Sequence, residues 1–248
     1  MTGKRVLAGF HAVGARLRHA PHTIEAIYVD ARRRDGRMAQ LQQRAAEVKV
    51  KLVAADPERL RSLAGEAPHQ GVVAVAAQLE QALSLDDVLD GVGPDTLLLL
   101  LDGVTDPRNL GACLRVADAA GVQAVIVPRD RSVGLTPAAL KAAAGAAEAV
   151  PLITVTNLAR AMDDLRDAGV RLVGAAGEAE QSLYDLDLTG PFAWVLGAEG
   201  SGLRRLTRER CDALASIPIL GQVESLNVSV ATGICLYEAV RQRRASAA

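Results

Sequence analysis

The segment Glu224-Ser225-Leu226-Asn227-Val228-Ser229-Val230-Ala231-Thr232-Gly233 sets three small polar side chains into an otherwise apolar stretch. Ser225, Asn227 and Ser229 can each donate and accept hydrogen bonds. Asn227 or Ser225 suits the N-cap of a helix carrying the apolar run Ile234 to Val240, and the free amides of such a helix start attract negative or electron-rich groups. A capped helix with nothing bound satisfies the same pattern. Two further segments hold usable groups. From Asp102 to Arg115 the chain reads Asp-Gly-Val-Thr-Asp-Pro-Arg-Asn-Leu-Gly-Ala-Cys-Leu-Arg. There Leu110, Cys113, Leu114 and Ala117 form one helical stripe, Gly121 suits the C′ position, and Arg115 projects away from the stripe, available to a cleft. Gly197-Ala198-Glu199-Gly200-Ser201-Gly202 permits close backbone approach to a ligand and leaves Glu199 as its one charge.

Familiar catalytic patterns do not account for these residues. Gly197 to Gly202 is not GxGxxG, has no Gly-Lys-Ser or Gly-Lys-Thr after it, and offers a carboxylate where a phosphate would be repelled. Residues 77–248 contain no histidine, which excludes a Ser-His-Asp triad or a histidine base built within that half. Chemistry there must use Arg, Glu, Ser or Asn. His11, His19, His22 and His69 fit no metal-ligand spacing, and Cys113, Cys211 and Cys235 lack a CxxC pair, so no metal site or disulfide framework is expected. The cysteines read as reduced packing residues.

The elements that must position these groups alternate short apolar runs with helical ones. In the front part Ile24 to Val29, Val50 to Val53 and Gly71 to Ala76 read as strands, with a helix over Arg37 to Val48. This is a small α/β module. A polar connector follows from Gln78 to Asp95, with one helical turn at Leu85 to Leu89. Beyond it Leu97 to Leu101, Ala124 to Val127, Leu152 to Val155, Arg171 to Gly174, Phe192 to Leu196 and Ala215 to Ile219 read as buried strands with helices between them. Such a pattern predicts a mostly parallel sheet covered on both faces, whose ligands sit at the carboxyl ends of the strands.

Charge divides at the same place. Residues 1–76 carry 13 Lys and Arg against 7 Asp and Glu, a net of +6, whereas residues 77–248 carry 15 against 22, a net of −7. The front module therefore suits a polyanion, with Arg32-Arg33-Arg34-Asp35-Gly36-Arg37 as its densest cluster. A solvated basic loop reads the same way. Six aromatic residues in the whole chain leave little for a base-stacking platform, so RNA recognition would rest on shape and phosphates. No apolar run approaches a membrane span. Met1-Thr2-Gly3-Lys4-Arg5 leads directly into Val6-Leu7-Ala8-Gly9, too short for a secretory core, so the expected address is the cytoplasm.

Asn109 with Arg115, Gly197-Ala198-Glu199-Gly200, and Ile217-Pro218 followed by Ser225-Leu226-Asn227 resemble, in order and spacing, the three signature motifs of the SpoU/TrmH family of RNA ribose 2′-O-methyltransferases. Gly9-Phe10-His11-Ala12-Val13 and His69-Gln70-Gly71-Val72 resemble the front domain of its rRNA-methylating branch, so the likeness runs over essentially the whole chain. The resemblance implies an L30e-like ribosomal-protein module for RNA binding at 1–77, a linker at 78–93 and an α/β trefoil-knot methyltransferase domain at 94–248. It implies S-adenosyl-L-methionine held largely by backbone at Gly197, Ile217 and Leu226. Methyl transfer to a guanosine 2′-hydroxyl in 23S rRNA would occur in a homodimer completing each site from two chains. Arg115 matches the family's catalytic arginine, and Asn109, Glu199, Ser225 and Asn227 would orient it and the ribose. A guanidinium keeps its proton at physiological pH, which favours phosphate binding and alkoxide stabilisation over a base role. Simpler parts remain open: Glu199 as the cap of a helix near Ser201, Arg115 as a surface ion-pair partner, Asn109 as a helix cap. A tRNA 2′-O-methyltransferase of the same family and a non-catalytic RNA-binding ribosome-assembly protein are the alternatives.

Overall fold

A computed structural model describes residues 4–77 and 83–246; Met1 to Gly3 and residues 78–82 of the expected connector lie outside the described residues. The contacts divide the chain into two units, Met1–Gln81 with Ala144–Ala149, and Ala82–Ala143 with Val150–Ala248.

The first unit is a four-stranded sheet, β1 (Lys4–Ala8), β2 (Ile24–Asp30), β3 (Leu52–Ala55) and β4 (Val72–Ala77), in the order β1-β4-β2-β3. β4 pairs antiparallel with β1 and β2, and β2 pairs parallel with β3. Val6-Leu7-Ala8 thus belongs to an edge strand that sequence reading did not separate from the amino terminus. Helices α1 (Phe10–His19), α2 (Gly36–Glu47) and α3 (Pro57–Ala64) complete the unit, with Leu17, Ile27, Met38 and Val72 in its core. Asp35 caps α2 by accepting from the Arg37 and Met38 amides, and Asp56 caps α3.

The two front motifs meet here. The Gly9 amide donates to the Val72 carbonyl at 2.9 Å, and the Gly71 amide donates to His69 Nδ1 at 3.1 Å. Gly9 and Gly71 take φ of 88° and 81°, left-handed conformations natural to glycine. The basic cluster splits by use. Arg33 lies over the Phe10 ring at 4.6 Å, pairs with Asp35 and donates to the Gln70 carbonyl, whereas Arg32, Arg34 and Arg37 are exposed. Arg33 is therefore tied up in structure, and only its neighbours are presented to solvent.

The second unit carries α4 (Leu85–Asp90) and a six-stranded parallel sheet. Its strands are β5 (Leu97–Asp102), β6 (Ala124–Pro128), β7 (Leu152–Val155), β8 (Arg171–Ala175), β9 (Phe192–Gly197) and β10 (Ala213–Ala215), in the order β10-β8-β9-β5-β6-β7. The remaining helices are α5 (Pro107–Ala119), α6 (Pro137–Ala143), α7 (Leu158–Asp167), α8 (Arg205–Glu209) and α9 (Val228–Ser246). β5 is buried along its length and apolar up to its last residue, Asp102, as a central parallel strand requires. The expected strand Ala215 to Ile219 is corrected: β10 covers Ala213–Ala215 and the chain then leaves the sheet. Pro218 has no amide to give a ladder, and the freed segment lines a cavity instead.

α5 is built as its sequence prescribes at both ends. Asp106 caps it, its Oδ1 accepting from the Arg108 amide at 2.7 Å, with Pro107 in the first turn. At the far end Gly121 takes φ 75°, and the Val122 amide donates to the Ala117 carbonyl at 2.9 Å, closing a Schellman motif. An added Cβ on Gly111 would overlap the Ala139 carbonyl, so glycine there lets α6 lie directly on α5. All three cysteines are free. Burial pushes the Cys113 thiol up to about 11 and those of Cys211 and Cys235 up to about 12. At neutral pH they are protonated, unreactive packing groups.

Candidate active site

Three segments of the second unit converge on one cavity of about 470 Å³. The turn after β8 gives Gly177 and Glu178, the Gly197 to Leu203 loop after β9 gives a second wall, and the stretch from Ile217 to Leu226 gives a third. Gly197, Ile217 and Leu226, the three residues expected to hold a cofactor, all line it. The reason for glycine at 197 is steric. An added Cβ would overlap the Gly202 carbonyl group and the Leu203 amide, because the loop folds back through a bridge in which the Gly202 amide donates to the Ala198 carbonyl at 2.9 Å. The loop's exit is anchored as well. Asp102, buried at the end of β5, accepts from the Arg204 amide at 3.1 Å and from Arg204 Nε at 2.5 Å.

Beside this cavity, and reaching it through Glu199, three of the expected polar residues form one hydrogen-bonded cluster. Asn227 Nδ2 donates to Asn109 Oδ1 at 3.0 Å and to Glu199 Oε1, and Glu199 Oε1 also accepts from the Val228 amide at 3.3 Å. Asn227 Oδ1 accepts from the Ser229 amide at 3.0 Å and the Ser229 hydroxyl at 2.6 Å, so Asn227 caps α9 while its amide group faces Glu199. The segment Glu224 to Gly233 therefore serves as both cap and site. Glu199 caps no helix near Ser201; its carboxylate joins the start of α9. Asn109 does not cap α5, since Asp106 does. Ser225 lies with Leu226 along the cavity wall.

Arg115 stands apart from this cluster. It is exposed on α5, with Leu110, Cys113, Leu114 and Ala117 all buried behind it. Among the described residues it has no ion-pair or hydrogen-bond partner. It follows Asn109 by six positions, roughly 9 Å along the axis and about 240° around it, so the two side chains leave α5 on different sides.

Sequence reading missed Gly177, Glu178 and Arg208. Glu178 and Arg208 form an ion pair, and both line the cavity. The strand-end rule applied to β8 would have singled out Gly177-Glu178. Arg208, on α8, carried no comparable signal. Among the described residues there is no group of three or more potential metal ligands and no helix long and apolar enough to cross a membrane.

The cavity's chemistry is mixed. Carboxylates of Glu178, Glu199 and Glu224 line it beside the Arg208 guanidinium, with apolar walls from Leu196, Ile217 and Leu226. Such a site suits a small ligand that carries both positive and negative groups and an extended apolar or aromatic part.

Comparison with known proteins places the chain in a family. Residues 96–237 match the SpoU rRNA Methylase family, and residues 6–82 match the RNA 2′-O ribose methyltransferase substrate binding family. The chain is 60% identical over 243 residues to the 23S rRNA (guanosine-2′-O-)-methyltransferase RlmB of Ralstonia nicotianae, covering 98% of each chain. It is 57% identical over 244 residues to the RlmB of Bordetella pertussis, covering 98% of this chain and all of that one. Among solved structures, the SpoU methyltransferase AviRb from Streptomyces viridochromogenes, in complex with the cofactor AdoMet, superposes with a TM-score of 0.77 at 29% identity, over 98% of this chain and 92% of that one. With residues 96–237 matching that family and a relative 60% identical over 98% of the chain, the chain belongs to the SpoU rRNA methylase family.

Proposed function

We propose that this protein transfers a methyl group from S-adenosyl-L-methionine to the ribose 2′-hydroxyl of a guanosine in 23S rRNA, in the peptidyl-transferase region. The observation that carries this reading is the meeting of Asn109 and Asn227 with Glu199, which lines the same cavity as Gly197, Ile217 and Leu226. S-adenosylmethionine fits the donor set: carboxylates for its ammonium and sulfonium charge, Arg208 for its carboxylate, and apolar walls with loop backbone for its adenosine. When bound, it supplies an electrophilic methyl group. Glu199 fixes the Asn227 amide, Asn227 fixes Asn109, and together with Ser225 they orient the incoming ribose. Arg115 holds the target phosphate and stabilises the oxygen as it loses its proton to that phosphate or to water.

The same reading includes a homodimer. Arg115 leaves α5 on a different side from Asn109, which suits a site completed by a second chain. Leu220 at 99% and Val223 at 62% exposure, with Val230 and Tyr237 on α9, leave apolar surface that a second copy would cover. We further propose domain limits of 1–77, 78–93 and 94–248, an L30e-like front module that binds RNA through Arg32, Arg34 and Arg37, a trefoil knot in the second domain, and a cytoplasmic location. Support for the knot is family membership together with a cavity assembled from three separated segments.

Titration calorimetry with S-adenosylmethionine, followed by labelled methyl transfer to 23S rRNA and to tRNA transcripts, tests this. The expected result is one cofactor site per chain and label in 23S rRNA alone. Absence of cofactor binding by the folded protein would favour the RNA-binding assembly protein, and label in tRNA alone the tRNA enzyme.

A further inference from the structure

A second cavity, of about 670 Å³, opens at the carboxyl ends of β6 and β7 and shares no lining residue with the first. Its walls come from the loop after β6, with Asp130 and Arg131, from the turn before α7, with Thr156, and from the segment Arg204 to Thr207. Three arginines and one aspartate line it, an excess of two positive charges among its lining residues, inside a half of the chain that carries a net of −7. Such a reversal of sign is what a polyanion needs if it is to approach an acidic domain at one place.

The arginines differ in their commitments. Arg204 is held by buried Asp102. Among the described residues Arg205 pairs only with Glu209, one helical turn away and exposed at 2.7 Å, the kind of contact a phosphate readily displaces. Arg131 is exposed and has no ion-pair partner among the described residues. Its backbone sits at φ 60°, a left-handed conformation that a non-glycine residue takes only where its surroundings hold it. Leu206, 49% exposed, adds apolar surface between the charges.

This cavity is also next to the reacting cluster. A Cβ built on Gly103 would lie 3.6 Å from Ala198 Cβ and 3.9 Å from the Arg131 carbonyl oxygen. The loop that leads from β5 to Asn109 is thus held between the loop carrying Glu199 and the loop carrying Arg131.

We propose that this second cavity is an RNA subsite that seats a nucleotide flanking the methylated one, with Arg131 and Arg205 on its phosphodiester and Leu206 against its sugar or base. The proposal rests on the RNA-methylating reading above. Both arginines are exposed, so the double variant R131A/R205A keeps its fold. Its affinity for a transcript of the 23S peptidyl-transferase region is measured across a salt series, with cofactor affinity by calorimetry and oligomeric state by light scattering. RNA affinity falls about tenfold and the slope of log K against log salt drops by about 1 to 2, while cofactor affinity and oligomeric state stay as in the parent. Unchanged RNA affinity and slope overturn the proposal. So does a changed oligomeric state with unchanged RNA binding, which would make the cavity a contact between copies of the chain. A parent protein that bound no cofactor would refute the enzymatic reading, yet the drop in salt slope would still establish the RNA subsite.

Discussion

Replacing Arg115 by alanine lowers methyl transfer by about 100- to 1,000-fold, the usual cost of removing one preorganised group that stabilises a developing oxyanion. Neither fold nor cofactor affinity changes. The separation follows from where Arg115 sits: exposed on α5, outside the buried stripe, with no partner among the described residues and away from the cavity lining. Surface substitutions of this kind shift stability by no more than about 0.5 kcal/mol, and alanine is the best helix former. Arg115→Lys keeps the charge and loses the forked geometry, so it retains intermediate activity. Single-turnover methyl transfer, calorimetry with the cofactor and a thermal melt make the three measurements. Near-normal turnover in Arg115→Ala would remove Arg115 from the mechanism.

Gly197→Ala acts in the opposite way, through the cofactor site and the fold together. The added methyl group meets the backbone of Gly202 and Leu203, which cannot rotate aside as a flexible side chain would. The Gly197 to Gly202 loop must therefore open, although Asp102 holds its exit through Arg204. Overpacking of this kind costs about 1–3 kcal/mol. Where the displaced loop no longer fits the cofactor, the same energy weakens binding by about 5- to 150-fold. Calorimetry shows the weaker affinity and a melt shows the lower midpoint. An unchanged dissociation constant would mean that this loop does not contact the cofactor.

Much of this arrangement was legible in the chain. Five strands of the second unit announce themselves as short apolar runs because parallel strands are covered on both faces. Capping at Asp106 and Gly121 is local chemistry, and Asn227 was legible as a cap because an amide before an apolar helix has few other uses there. What escaped reading was long-range. β1 is an edge strand made credible only by its register with β4. Ala144–Ala149 groups with the first unit, where Glu148 is buried against Arg16 Nε at 2.8 Å and Arg5 at 2.9 Å, partners more than a hundred residues away. In the site, Glu199 has two aspects. Its charge marks it in the sequence, but its partners, Asn227 and the Val228 amide, come from a segment 28 and 29 positions away. The second cavity is likewise invisible to motif reading, because each of its arginines is an ordinary surface residue until three loops bring them together.

The family's geometry and the cluster at the cavity converge on one claim, methylation of a ribose 2′-hydroxyl in 23S rRNA. Mapping of 2′-O-methyl groups on 23S rRNA and tRNA, from cells with and without the protein, tests it most directly. Cells without the protein lose a single guanosine 2′-O-methyl in the peptidyl-transferase region, restored by the parent protein and not by Arg115→Ala. An unchanged 23S pattern with a methyl missing from a tRNA would contradict it.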